Sequence, residues 1–171
     1  MDLNRIVIAG GGTGGHIYPA VAIARAVQVL SPAAEITFVG AQGGLEERLI
    51  PREGFSLRLL SVGKLNQKED GWIGKLRTLL RLPLAMFVSW KILREIQPQV
   101  VLGVGGYASG PFVLVASLLG YRTAIWEPNA HPGLTNRWLS RFVGKAYVVF
   151  READRHLKCR KVMQIGMPVR P

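Results

Sequence analysis

Apolar residues in this chain gather into short, nearly continuous runs separated by longer stretches of mixed character. The runs are Ile6-Val7-Ile8-Ala9, Ile36-Thr37-Phe38-Val39, Leu57-Arg58-Leu59-Leu60, Val100-Val101-Leu102, Ala124-Ile125-Trp126 and Ala146-Tyr147-Val148-Val149-Phe150. Their length and composition predict strands. The intervening stretches predict helices over residues 19–30, 45–52, 72–96, 111–119 and 134–142. Strand and helix alternate almost throughout. Strands that are apolar on both faces and linked by helices belong to a parallel sheet covered on each side, with right-handed crossovers. The predicted fold is therefore α/β, a doubly wound Rossmann-like sheet, in which ligands sit beyond the carboxyl ends of the strands.

The length of 171 residues and the 49% hydrophobic content suit one domain over residues 1–171, with no internal repeat or low-complexity linker. Residues 96–121 carry no charge, which raises the question of a membrane span. Five glycines, Pro98 and Pro111 interrupt the run, and a strand, a glycine turn and a helix with Pro111 in its first turn account for it better. No transmembrane helix is expected. Residues 1–5 do not read as a signal peptide, which suits a chain that stays inside the cell.

The net charge of +11 favours anionic partners: nucleic acid, phosphorylated ligands or an acidic membrane face. Residues 137–171 alone hold nine Lys or Arg against Glu152 and Asp154. A basic nucleic-acid-binding module is the rival reading, but no helix-turn-helix, zinc or RNA-binding signature supports it, so no nucleic-acid partner is expected. Cys159 is the only cysteine, and the three histidines are dispersed. Neither a disulfide, a metal site nor a bound cofactor is expected.

The first strand runs directly into Gly10-Gly11-Gly12-Thr13-Gly14-Gly15-His16, with a helix to follow. Glycines there allow positive φ and close approach of a ligand, and a helix start offers unpaired N–H groups and a positive dipole end. A phosphate is the natural guest. The loop lacks the Gly-Lys-Ser/Thr ending of a P-loop. Gly10, Gly12 and Gly15 satisfy the dinucleotide G-x-G-x-x-G spacing, but Gly40-Ala41-Gln42-Gly43-Gly44 offers no acid for a nicotinamide ribose. A second glycine loop, Gly103-Val104-Gly105-Gly106-Tyr107-Ala108-Ser109-Gly110-Pro111, follows the fourth strand and also leads into a helix. Each loop alone could be a tight strand-to-helix turn. Two helix starts facing one crevice suit a diphosphate or two phosphates.

Three segments carry a family resemblance: Gly11-Gly12-Thr13-Gly14-Gly15-His16, then Val101 through Pro111, then Glu127-Pro128-Asn129-Ala130 with Pro132-Gly133-Leu134-Thr135-Asn136. In order and spacing they resemble the MurG family of peptidoglycan glycosyltransferases, over nearly the whole chain. The resemblance implies the N-terminal, acceptor-binding half of an inverting GT-B glycosyltransferase. Such an enzyme transfers GlcNAc from UDP-GlcNAc to undecaprenyl-linked lipid I, giving lipid II. It implies a peripheral position on the cytoplasmic face of the bacterial inner membrane, with an anionic membrane surface as partner. It also implies a C-terminal donor-binding domain that this chain lacks, whether through truncation or as a separate chain, so that the chain alone does not turn over. A related GT-B enzyme with another lipid acceptor, such as diacylglycerol, is the nearest alternative.

The resemblance places Thr13, Gly14, Gly15, Asn129 and Arg170 at the UDP-GlcNAc donor. Gly12, His16, Gly105, Gly106, Tyr107, Ser109, Gly110 and Glu127 are the candidates for the acceptor and its diphosphate. Two motifs depart from the family's form: Gly166-Met167-Pro168-Val169-Arg170 stands for Gly-Asn-Pro-Val-Arg, and Glu127-Pro128-Asn129 for Glu-Gln-Asn. His16 is the candidate catalytic base, since a helix N-terminus disfavours imidazolium. Its alternative is a hydrogen bond to phosphate or a helix cap. Glu127 either orients an acceptor group or offsets nearby arginines.

Lys75 through Lys91 mixes basic residues with Leu, Phe and Trp, as interfacial helices do. Leu76, Leu80, Pro83, Phe87 and Trp90 share one helical face by spacing. That stripe either meets a membrane or packs on the sheet, and Pro83 is a candidate helix break. Membrane contact is expected at Trp72, Ile73, Leu76 and Leu79.

Overall fold

The computed structural model describes residues 4–62 and 71–168, with backbone alone over 71–80. Among the described residues there are seven strands: β1 (Arg5–Gly10), β2 (Glu35–Ala41), β3 (Ser56–Leu60), β4 (Val100–Gly105), β5 (Arg122–Glu127), β6 (Lys145–Val148) and β7 (Val162–Gln164). Five helices alternate with them: α1 (Gly14–Leu30), α2 (Glu46–Arg52), α3 (Gly71–Ile96), α4 (Ser109–Leu118) and α5 (Leu134–Leu139). All pairings are parallel, in the order β3-β2-β1-β4-β5-β6-β7. The predicted doubly wound sheet is the observed one.

Alternation along β1 divides the core. Val7 and Ala9 enter one cluster with Ile92 and Leu93 of α3 and Phe112 and Val113 of α4. Ile6 and Ile8 enter the other, with Ile17, Ala20, Val21 and Ala24 of α1 and Ile50 of α2. Side chains pointing to both faces of a strand find cover only when helices lie on both sides. On the second face, beside Ile23 and Val27 of α1, a groove of about 640 Å³ remains open over Leu102, Ala124 and Tyr147.

Several boundaries differ from expectation. α1 begins at Gly14 and carries Pro19 within it, and α4 begins at Ser109, two residues before Pro111. The glycines are thus part of the first helical turns. α5 ends at Leu139, short of the expected Phe142. Pro83 lies inside α3 without ending it. The short edge strand β7 and a 3-10 turn at Arg151–His156 carry no hydrophobic run and were not anticipated.

The stripe on α3 faces water where its side chains are described. Pro83, Phe87 and Trp90 are exposed, while Ala85, Ser89, Ile92 and Leu93 turn inward. Ser89 donates its hydroxyl to the Ala85 carbonyl at 2.7 Å, so this polar group is satisfied inside the helix.

Candidate functional site

The chain leaves β1 toward β2 on one side and returns to β4 on the other, so the carboxyl ends of β1 and β4 flank a topological switch point. Both glycine loops open there. They touch through backbone: the Gly11 N–H donates to the Gly105 carbonyl at 3.2 Å. A Cβ on Gly106 would stand 2.3 Å from the Gly11 oxygen, and one on Gly10 would stand 2.3 Å from the Gly105 oxygen. Gly105 and Gly106 also have φ of 93° and 85°, a region that side chains resist. A register shift between Ala9 and Gly10 brings Gly10 opposite Gly105 and sets this contact.

Glu46, at the start of α2, supports the first loop from behind. Its side chain is 1% exposed. One oxygen accepts the Gly12 N–H at 2.9 Å and the other accepts the Ala41 N–H at 2.8 Å. Cβ atoms on Gly11, Gly40 or Gly44 would all collide with the Glu46 side chain. The carboxylate is therefore packed in a glycine-lined slot and links the β1–α1 loop to the β2–α2 loop. Nothing in the local spacing pairs position 46 with position 12, so the role of this carboxylate is not legible in the sequence.

His16 lies on the first turn of α1, half-buried. Its Nδ1 is 2.9 Å from the Thr13 hydroxyl, and its Nε2 lies 2.9 Å from where a Gly105 Cβ would be. The ring thus occupies the seam between the two loops. Burial holds its pKa below the ordinary histidine value, and the negative charge of Glu127 partly opposes that drop. Thr13 turns its carbonyl to the His16 and Ile17 N–H groups. The Gly14 and Gly15 N–H groups, first in the helix, have no intrahelical acceptor, an arrangement suited to an anion.

Glu127, 1% exposed at the end of β5, takes four donors. One oxygen receives the Asn129 N–H at 3.0 Å and the Asn129 side-chain amide at 2.8 Å. The other receives the Gly133 N–H at 3.1 Å and the Asn136 amide at 3.0 Å. Its partners are amides rather than arginines, and they shape the loop from Pro128 to Gly133. Asn136 also donates to the Trp126 carbonyl at 2.9 Å, which fixes its orientation. Ser109 is fully buried, and among the described residues its hydroxyl has no hydrogen-bond partner. Both Ser109 and Glu127 thus stand behind the loops. Tyr107 and Gly110 are half-buried and Asn129 is exposed.

Arg170 lies outside the described residues. Trp72, Ile73, Leu76 and Leu79 lie on the backbone of α3, and their side chains lie outside the described ones. Farther along α3, Phe87 and Trp90 are 60% and 41% exposed and stack on each other. Trp138 of α5 is 46% exposed and packs on Phe142. Among the described residues no helix is long and apolar enough to cross a membrane, and no cluster of three metal-ligating side chains occurs.

An all-parallel sheet with two glycine loops joined at the switch point defines a Rossmann-like domain. Residues 6–148 match the glycosyltransferase family 28 N-terminal domain. The chain belongs to that family. It is 58% identical to a UDP-N-acetylglucosamine--N-acetylmuramyl-(pentapeptide) pyrophosphoryl-undecaprenol N-acetylglucosamine transferase of Bdellovibrio bacteriovorus, over 98% of this chain and 46% of that protein. The same-named protein of Anaeromyxobacter dehalogenans is 49% identical over 97% of the chain and 43% of its own length. Among solved structures, Acinetobacter baumannii MurG superposes with a TM-score of 0.81 at 26% identity, over 98% of this chain and 47% of that one. The UDP-GlcNAc 2-epimerase of Methanocaldococcus jannaschii, at 14% identity and a TM-score of 0.68, shares the fold. The chain spans about half the length of the relatives it matches.

Proposed function

We propose that this chain is the acceptor-binding half of an inverting glycosyltransferase that moves GlcNAc from UDP-GlcNAc to undecaprenyl-linked lipid I. The observation that carries the reading is the seam where the two glycine loops meet around His16. In this reading, Gly12, Gly105, Gly106, Tyr107 and Gly110 surround the acceptor diphosphate, with Ser109 and Glu127 supporting them from beneath. Thr13, Gly14, Gly15, Asn129 and Arg170 face the donor. The activity for which the relatives are named, at identities up to 58%, supports the choice of substrates.

The chemistry follows from the seam. A His16 tautomer that donates its Nδ1–H to the Thr13 hydroxyl leaves the Nε2 lone pair free to accept a proton. The acceptor hydroxyl gives its proton to Nε2 while its oxygen attacks the anomeric carbon of GlcNAc. The bond from that carbon to the UDP oxygen breaks, with inversion. Charge developing on the departing diphosphate meets the N–H groups at the start of α1, where the helix dipole favours an anion. The uridine and sugar contacts belong, in this reading, to a donor-binding domain in the part of the relatives that this chain does not span, on the same chain or a separate one. In this reading the domain works as a peripheral protein on the cytoplasmic face of the bacterial inner membrane, and the exposed aromatics of α3 and the net charge of +11 support contact with an anionic lipid surface.

The test is GlcNAc transfer from UDP-GlcNAc to a lipid I analogue, first with this chain alone and then with a family donor half added in trans. Transfer only in the second case is expected. Transfer by the chain alone would refute the division of labour, and a salt-sensitive DNA affinity without diphosphate binding would refute the enzyme reading.

A further inference from the structure

Below the second glycine loop, α3, α4 and α5 line a half-open cavity of about 280 Å³ with almost entirely apolar walls. Leu82 and Ala85 of α3, Leu114 of α4 and Trp138 of α5 form its sides, Tyr107 and Gly110 form the edge toward the loop, and Arg81 is the charged group among its lining residues. The cavity and the anion crevice share one loop. Gly105 and Gly106 touch the first glycine loop, and Tyr107, the next residue, lines the cavity. Neighbouring Cα atoms are about 3.8 Å apart, so a diphosphate at the seam sits beside the cavity's edge. Leu82 and Trp138 are also partly exposed, so the cavity opens to solvent beside them.

We propose that this cavity receives the first apolar units of the acceptor's prenyl chain, with the shared loop joining them to the diphosphate. The inference rests on the acceptor reading above and deepens it. An anion-binding loop on one side, an apolar hole on the other and a cationic side chain at the wall fit an amphiphile with a phosphorylated head. The volume lies near the low end for small-molecule sites, about 300–1,000 Å³, so it takes the head-proximal units and leaves the rest of the chain in the bilayer. Entering this hole removes hydrocarbon from water without ordering the remainder of the tail.

The experiment compares inorganic pyrophosphate with geranyl diphosphate, titrated calorimetrically into the 171-residue chain at fixed ionic strength. Geranyl diphosphate is expected to bind at least tenfold more tightly. Leu114→Phe, which fills the cavity, and Trp138→Ala, which removes a wall at a half-exposed site, should each bring that ratio close to one with pyrophosphate affinity unchanged. Equal affinity of the two ligands for the parent chain, or a ratio that neither substitution moves, would overturn the proposal; the latter would put the chain on the outer aromatic surface. Binding of geranyl diphosphate that depends on Leu114 without any binding of pyrophosphate would sink the loop reading and sustain the cavity.

Discussion

At the scale of single residues the site depends on two buried carboxylates, Glu46 and Glu127, and on the imidazole of His16. Replacing Glu46 by Ala removes the acceptor of the part-buried Gly12 and Ala41 N–H groups, at a cost of roughly 0.5–1.5 kcal/mol for each hydrogen bond lost. Glu46→Gln keeps one acceptor but turns an NH₂ group toward the other N–H, so it should be destabilising as well and should weaken pyrophosphate binding. Thermal denaturation with parallel calorimetry checks both, and a parental midpoint in either variant would contradict the assigned role. Gly105→Ala sets a methyl group 2.9 Å from His16 Nε2 at a φ of 93°. It should displace the imidazole and cut transfer in the reconstituted enzyme at least tenfold.

His16 also predicts a pH dependence. Its pKa is lowered in the folded chain, so the neutral ring is held, and the associated stability is complete above the unfolded value of about 6.5. That stability is lost as pH falls from there through the lower folded value. An NMR titration of the ring should show a midpoint below 6.5, and Glu127→Gln should lower it further by removing the carboxylate charge that opposes the drop. A midpoint at or above 6.5 would contradict the seam environment.

At the scale of elements, α3 divides into an inward face of Ala85, Ser89, Ile92 and Leu93 and an outward one of Leu82, Leu84, Phe87 and Trp90. Phe87→Ser with Trp90→Ser should therefore weaken binding to vesicles of anionic lipid several-fold while leaving the thermal midpoint nearly unchanged, because those rings are already in water. A flotation assay measures the first and calorimetry the second. The spacing of apolar positions revealed the existence of this helix and its stripe. It could not reveal which way the stripe faced, since an amphipathic stripe on a sheet and one on a membrane obey the same periodicity. Glycine and proline misplaced the helix starts for a related reason. Pro111 suits a first turn, and that turn begins two residues earlier, at Ser109.

At the scale of the whole molecule, alternation of strand and helix was enough to recover a parallel doubly wound sheet, because apolar strands can be buried only that way. The loops at its switch point were legible as glycine clusters. Their mutual contact was not, since Gly11 and Gly105 are separated by most of the chain and meet only once β4 returns beside β1. Glu46 stayed hidden for the same reason: its partners come from a different turn. Glu127 was visible as a chemical group, but its commitment to four amides is a property of the folded loop.

The open groove over Leu102, Ala124 and Tyr147 carries a colloidal consequence. A mainly apolar concavity of about 640 Å³, with Arg122 and Lys145 among its lining residues, invites one molecule to lean on another, while a net charge of +11 holds molecules apart. Salt weakens the repulsion and leaves the attraction, shrinking the Debye length to about 3 Å at 1 M. The chain should accordingly sediment as a monomer in dilute buffer and grow heavier as sodium chloride is added, the reverse of what a surface held by ion pairs would do.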